Sequence, residues 1–123
     1  MSHTIRHDAI ALNAGVDSAA FERFMTSELM PHLAERFKGP TRTSKADLKA
    51  LSLLRDAKSA RRLLLVTVWD GAAASVAGGA FENARTNTVA RTDALLRKLD
   101  GLAKRSAEKV YAELVRIEVP TNV

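Results

Sequence analysis

The spacing of apolar positions changes along the chain, and each change marks an element. Ile5 to Leu12 mixes β-branched and small apolar residues and stops at Asn13-Ala14-Gly15, a turn signal, so it predicts a first strand. Asp17 then suits a helix N-cap, with Val16 and Phe21 placed to staple across it. Phe21, Phe24, Met25, Leu29, Leu33 and Phe37 follow at spacings of mainly three and four, one apolar face of a helix. Pro31 interrupts that face, because it loses a backbone hydrogen bond and crowds the preceding turn, so a kink or break is expected near Met30. Gly39-Pro40 is the expected stop. Ser44-Lys45-Ala46-Asp47 resembles a capping box for a short helix, whereas Leu51 to Arg55 reads as strand. The run Arg62 to Trp69 is the clearest strand, apolar at odd and even positions alike and so expected to be buried on both faces. The polar stretch Arg55 to Arg61 before it has the length of a hairpin connection. Gly71 to Ala80, rich in Ala and Gly, reads as a loosely helical lid or loop. A second long helix is expected from about Thr88 to Leu102, with Val89, Leu95, Leu96, Leu99 and Leu102 on one side. Glu108 to Val119 reads as a last strand, apolar on both faces and closed by Pro120.

The order is β-α-β-β-α-β, the split-βαβ or ferredoxin-like plan: α+β, with a four-stranded antiparallel sheet and two helices on one face. Two helices cover only one side of such a sheet. The third and fourth strands look apolar on both, and a chain of 123 residues has no spare element for the second face. Apolar patches of several hundred Å² usually mark an interface. A twofold homodimer, sheet against sheet, is therefore expected.

Composition narrows the picture further. One domain spanning residues 1–123 accommodates 46% apolar and 27% charged residues, with few Gly and Pro. No apolar run is long enough to span a bilayer, and the first residues lack a signal-peptide core, which makes the cytoplasm the default location. The absence of cysteine excludes disulfides, thiolate nucleophiles and Cys-based metal centres. The net charge of +5 is uneven. Residues 36 to 62 carry nine basic and two acidic groups, a local +7, which leaves −2 for the rest. Such a segment steers anionic partners or simply solvates a hairpin. Nucleic acid is disfavoured as a partner, since only flanking Phe37 could stack on a base there and the sheet is poor in aromatics.

Several side chains offer chemistry, each with a plainer reading beside it. His32 can exchange a proton near neutral pH, and it follows the proline, or it is an ordinary helical histidine. Trp69, the only tryptophan, can stack on a flat ligand or plug the end of the core. Tyr111 can donate to a carbonyl or pack. Asn83, Arg85 and Asn87 can bind a carboxylate or polarise a carbonyl oxygen, or cap and solvate a helix. His3 and His7 share a face of the first strand with Asp8 on the other, which is no metal-ligand spacing, so no metal is expected. No phosphate-cradling loop or nucleophile elbow occurs.

Two local motifs add a resemblance. Val66-Thr67-Val68-Trp69-Asp70 ends a strand, and Phe81-Glu82-Asn83-Ala84-Arg85 leads towards the last helix. With the element order, they resemble the dimeric α+β barrel superfamily, which includes antibiotic-biosynthesis monooxygenases, EthD-like proteins and stress-responsive A/B barrel proteins. Phe24 to Leu33 is also similar to the helix of EthD-like members. Haem-degrading members carry a His where this chain has Arg85, and arginine cannot ligate iron, so haem chemistry is not implied. Their first-strand Asn also lacks a counterpart, since Asn13 lies in the turn. The resemblance implies a dimer holding a flat or aromatic organic molecule between sheet and helices. It would act by cofactor-independent oxygenation, isomerisation or cyclisation. Trp69 and Tyr111 would line the cleft, Arg85 or Asn83 would polarise an oxygen, and His32 would move a proton. A non-catalytic dimer that binds a ligand or partner is the alternative, and fold alone does not separate the two.

Overall fold

A computed structural model describes residues 3–37, 47–70, 90–106 and 109–120. The first strand, β1 (His3–Leu12), lies at the centre of an antiparallel sheet. Its turn places Gly15 at φ +81°, in the left-handed region that glycine enters at no steric cost. Asp17 caps α1 (Ser18–Phe24) as expected, its carboxylate accepting from Ala20 N at 2.9 Å. Val16 packs against the core that contains Phe21.

The helix does not stop at Pro31. It passes through a π-helical turn, Met25–Leu29, and resumes as α2 (Met30–Arg36). Within that turn Met30 N–H reaches back five residues to Met25 O. One extra residue per turn moves the carbonyls that a proline ring would otherwise strike, so the missing N–H is absorbed without a break. The wider turn also keeps Met25, Leu29, Leu33 and Phe37, spaced by four, on the buried side. Residues 39 and 40, the expected stop, lie outside the described residues, as do residues 44–46.

Asp47 heads a strand rather than a helix: β2 (Asp47–Asp56) and β3 (Ser59–Asp70) form a hairpin. The connection is only Ala57-Lys58, shorter than the expected Arg55–Arg61 loop. Asp56 Oδ1 accepts from Lys58 N at 2.7 Å, the local bond by which Asp favours turns. The hairpin tip projects beyond the core, where both faces meet water and polar residues continue the ladder.

The second helix, α3 (Ala90–Leu102), buries Leu95, Leu96 and Leu99. Val89 lies outside the described residues, as does the small-residue stretch 71–80. Asn13 caps the end of α3: its backbone N donates to Leu102 O at 2.9 Å and its side chain to Gly101 O at 3.1 Å. The last strand departs most from expectation. It is cut down to β5 (Lys109–Ala112), and an unexpected short strand, β4 (Ala103–Arg105), precedes it; the two pair with opposite ends of β1. Residues 113–119 form no strand. Ala112 already faces Thr4, and Glu113 N donates to His3 O, so the ladder has reached the first described residue of β1.

The strand order is β2-β3-β1-β4, with β5 also on β1. The helices cover one face, and a single cluster that includes Ile10, Phe21, Met25, Leu33, Leu65, Trp69 and Leu96 lies beneath them. The other face of β3, with Leu64, Val66 and Val68, is only half-buried, so the expectation of two buried faces holds for one within a single chain. No helix among the described residues is long and apolar enough to cross a membrane.

Candidate functional site

The register decides which side chains meet. Thr4 faces Trp69 on β3, Arg6 faces Thr67, Asp8 faces Leu65 and Ile10 faces Leu63. All eight are buried, so this is the helix-covered face. The opposite face presents His3, Ile5, His7, Ala9 and Ala11 beside Asp70, Val68, Val66, Leu64 and Arg62. Along β1 the usual alternation is thus inverted over three positions: Thr4, Arg6 and Asp8 point under the helices, and the apolar Ile5, Ala9 and Ala11 point away. Burial of polar side chains requires partners, and here most of their polar atoms find one. Arg6 donates twice to Asp8, from Nε to Oδ2 at 2.9 Å and from Nη2 to Oδ1 at 3.0 Å. The indole Nε1–H of Trp69 donates to Thr67 Oγ1 at 2.7 Å.

Trp69 itself is fully buried, edge-on to Phe37 at 5.6 Å between ring centres. Phe37 is held in turn by its carbonyl, which accepts from Leu48 N at 3.0 Å. This joins the end of α2 to the start of β2 and closes one end of the helix-covered space. On the helical side, His32 Nε2 and Thr92 Oγ1 lie 2.7 Å apart and share a hydrogen bond whose direction follows the imidazole tautomer. That bond links α2 to α3. Burial holds the His32 imidazole below its ordinary value, and the nearby Arg91 and Arg36 guanidinium groups push the same way. His32 is therefore neutral at pH 7, available as a base or a hydrogen-bonding group.

The residues singled out from sequence divide between the two faces. His32 and Trp69 belong to the helix-covered side. Tyr111 faces Ile5 and stacks at a tilt on His7, 5.0 Å between ring centres, on the opposite side of the sheet from Trp69. Asn83, Arg85 and Asn87 lie outside the described residues. Arg6, Asp8, Thr67 and Thr92 escaped sequence reasoning. Their signal was present in β1, where the polar set alternates as regularly as the apolar one. Period two does not say which set faces in. Among the described residues no three His, Asp or Glu converge as a metal site. The basic segment has internal work: Arg61 donates to Val16 O and Asn13 O, and Arg55 pairs with Glu22.

Solved structures share this fold. A protein from Bordetella bronchiseptica described as an antibiotic biosynthesis monooxygenase superposes with a TM-score of 0.60 at 16% identity, over 95% of this chain and all of its own. SnoaB, a cofactor-independent oxygenase from Streptomyces nogalater, superposes with a TM-score of 0.61 at 14% identity, over 98% of this chain and all of its own. The chain shares the α+β fold of these two proteins. No protein-family model matches the sequence, and no curated protein matches it. At these identities the likeness concerns the fold, the antiparallel sheet with its helices on one face.

Proposed function

We propose that this protein is a homodimeric enzyme that acts on a flat or aromatic organic substrate between sheet and helices, without a bound cofactor. The observation that carries this reading is the inverted first strand, which sends Thr4, Arg6 and Asp8 under the helices beside Thr67 and Trp69. A structural core alone has no need of such a set. The likeness in fold to a cofactor-independent oxygenase supports the kind of reaction. His32, neutral at pH 7, takes a proton from an acidic hydroxyl of the substrate. The ionised, electron-rich ring then reduces O2 itself, one oxygen atom entering the substrate and the other leaving as water. Arg85, with Asn83 and Asn87, stabilises the oxyanion so formed. Isomerisation or cyclisation would use the same proton transfer without O2.

An oxygen-electrode assay over a panel of polycyclic phenols, with chelator present and no flavin added, tests this. Substrate-dependent oxygen uptake is expected, reduced at least a hundredfold in His32→Ala and in Arg85→Ala. Unchanged rates in both variants would remove these roles. A non-catalytic binding dimer is favoured by one observation, the complete burial of Trp69 against Phe37, which leaves the indole engaged in packing. Tight binding of panel members without turnover would select that reading.

A further inference from the structure

The seam between α2 and α3 gathers positive charge that the described residues leave under-compensated. His32 and Arg36 lie one turn apart on the same face of α2. The bond between His32 Nε2 and Thr92 Oγ1 brings that face to the start of α3, where Arg91 precedes Thr92. Arg91 approaches a carboxylate at 3.9 Å, on Glu28, which Lys98 also approaches at 3.4 Å. The Arg36 guanidinium sits over the Phe37 ring, 5.5 Å from its centre. Its Nε is buried and has no hydrogen-bond partner among the described residues.

We infer that Arg36, Arg91 and His32 form a receptor at this seam for an oxyanion, the carboxylate or phosphate group of a small ligand. Three observations carry the assignment. The first is the orphaned donor. An oxyanion taken side-on by Arg36, through Nε and one Nη, supplies the acceptor that Nε lacks. The second is charge. In these contacts Arg36, Arg91 and Lys98 have Glu28 as their shared acid, and Glu35, the other carboxylate of α2, is exposed. A bound oxyanion offsets the excess, and the planar forks of two arginines suit it better than a single ammonium would. The third is convergence. Besides burial, the Arg91 and Arg36 guanidinium groups both depress the proton affinity of His32, so charges from two helices act on one imidazole. The hydrogen bond to Thr92 holds that imidazole between them.

The inference goes beyond the catalysis proposed above, because capture of an oxyanion needs no turnover. The chain has three histidines, and His3 and His7, on the opposite sheet face, serve as internal controls for His32. Imidazole NMR spectra of the full chain are recorded against benzoate and, separately, inorganic phosphate, with chloride keeping the ionic strength constant. The His32 signals alone should shift saturably with at least one of the two probes, and which one responds tells a carboxylate site from a phosphate site. The His32 titration should also move up towards its ordinary value, because the bound anion offsets Arg91 and Arg36. Arg36→Gln and Arg91→Gln should each weaken binding roughly tenfold or more, with unchanged His3 and His7 signals showing that the fold is kept. No saturable shift with either probe, a response that chloride reproduces, or full binding in the Arg36→Gln/Arg91→Gln double variant overturns the site. Oxygen uptake separates this result from the catalytic reading. Anion binding without turnover upholds the site and counts against that reading, and turnover without anion binding does the reverse.

Discussion

Arg6 and Asp8 stand two residues apart on one strand, both almost entirely buried, and their paired hydrogen bonds fix one geometry. Desolvation makes such a pair a poor source of net stability, but breaking it strands a charge in the core. Asp8→Ala should therefore cost about 3–5 kcal/mol in urea unfolding, and the Arg6→Met/Asp8→Leu double variant should regain most of that. His32 makes a pH prediction with a definite sign. Its native-state value lies below the ordinary imidazole value of 6.5, so around and below that pH the unfolded chain binds its proton more readily. His32 thus contributes a rise in stability with pH, fully present above 6.5 and lost as pH falls through its native value. Urea midpoints between about pH 5 and 7 should show a shallower rise in His32→Gln than in wild type. The acid limb of any activity should also fall below 6.5, because the base stays neutral into mildly acidic solution.

At the level of elements, local chemistry was legible wherever a residue's partner is close in sequence. The Asp17 cap is of this kind, and Asp17→Ala should lower stability by about 1 kcal/mol, measured by thermal or urea unfolding. The π-turn before Pro31 was half legible. The proline announced a disturbance, but whether a helix breaks or widens depends on what lies beneath it. Here Met25, Leu29, Leu33 and Phe37 all find places in the core only if the helix carries on. The hairpin shows the reverse. Its polar residues read as a loop because the usual burial of strands was assumed, yet a strand pair that extends past the core pays no penalty for polar faces. The final strand was over-extended for a related reason. Glu108 to Val119 has strand composition throughout, but composition does not supply an edge to pair with, and among the described residues the pairing with β1 reaches its limit at His3.

For the whole molecule, the inverted alternation of β1 links the proposed chemistry to the proposed assembly. Sending polar residues under the helices leaves Ile5, Ala9 and Ala11 facing out beside Leu64, Val66 and Val68. An exposed sheet face of that composition calls for a cover. The neighbours Leu64 and Leu65 distinguish the two faces by experiment. Leu64→Asp, on the open face, should yield a folded protein of half the wild-type mass by sedimentation. Leu65→Asp, on the face that is 2% exposed beneath the helices, should unfold the chain instead. Retention of a dimer in folded Leu64→Asp would count against sheet-to-sheet association.

What the sequence by itself determined was the order and kind of most elements, the cap at Asp17, the buried stripe of each helix and the existence of two unlike faces on β1. These depend on residues within a few positions of one another, where spacing and turn chemistry act directly. What only the tertiary structure decided was which face of β1 points under the helices, which residues Arg6, Thr67 and His32 engage, and where the last strand stops. Each of those follows from a pairing between distant segments, and a one-residue change of register would exchange every side chain between the two faces.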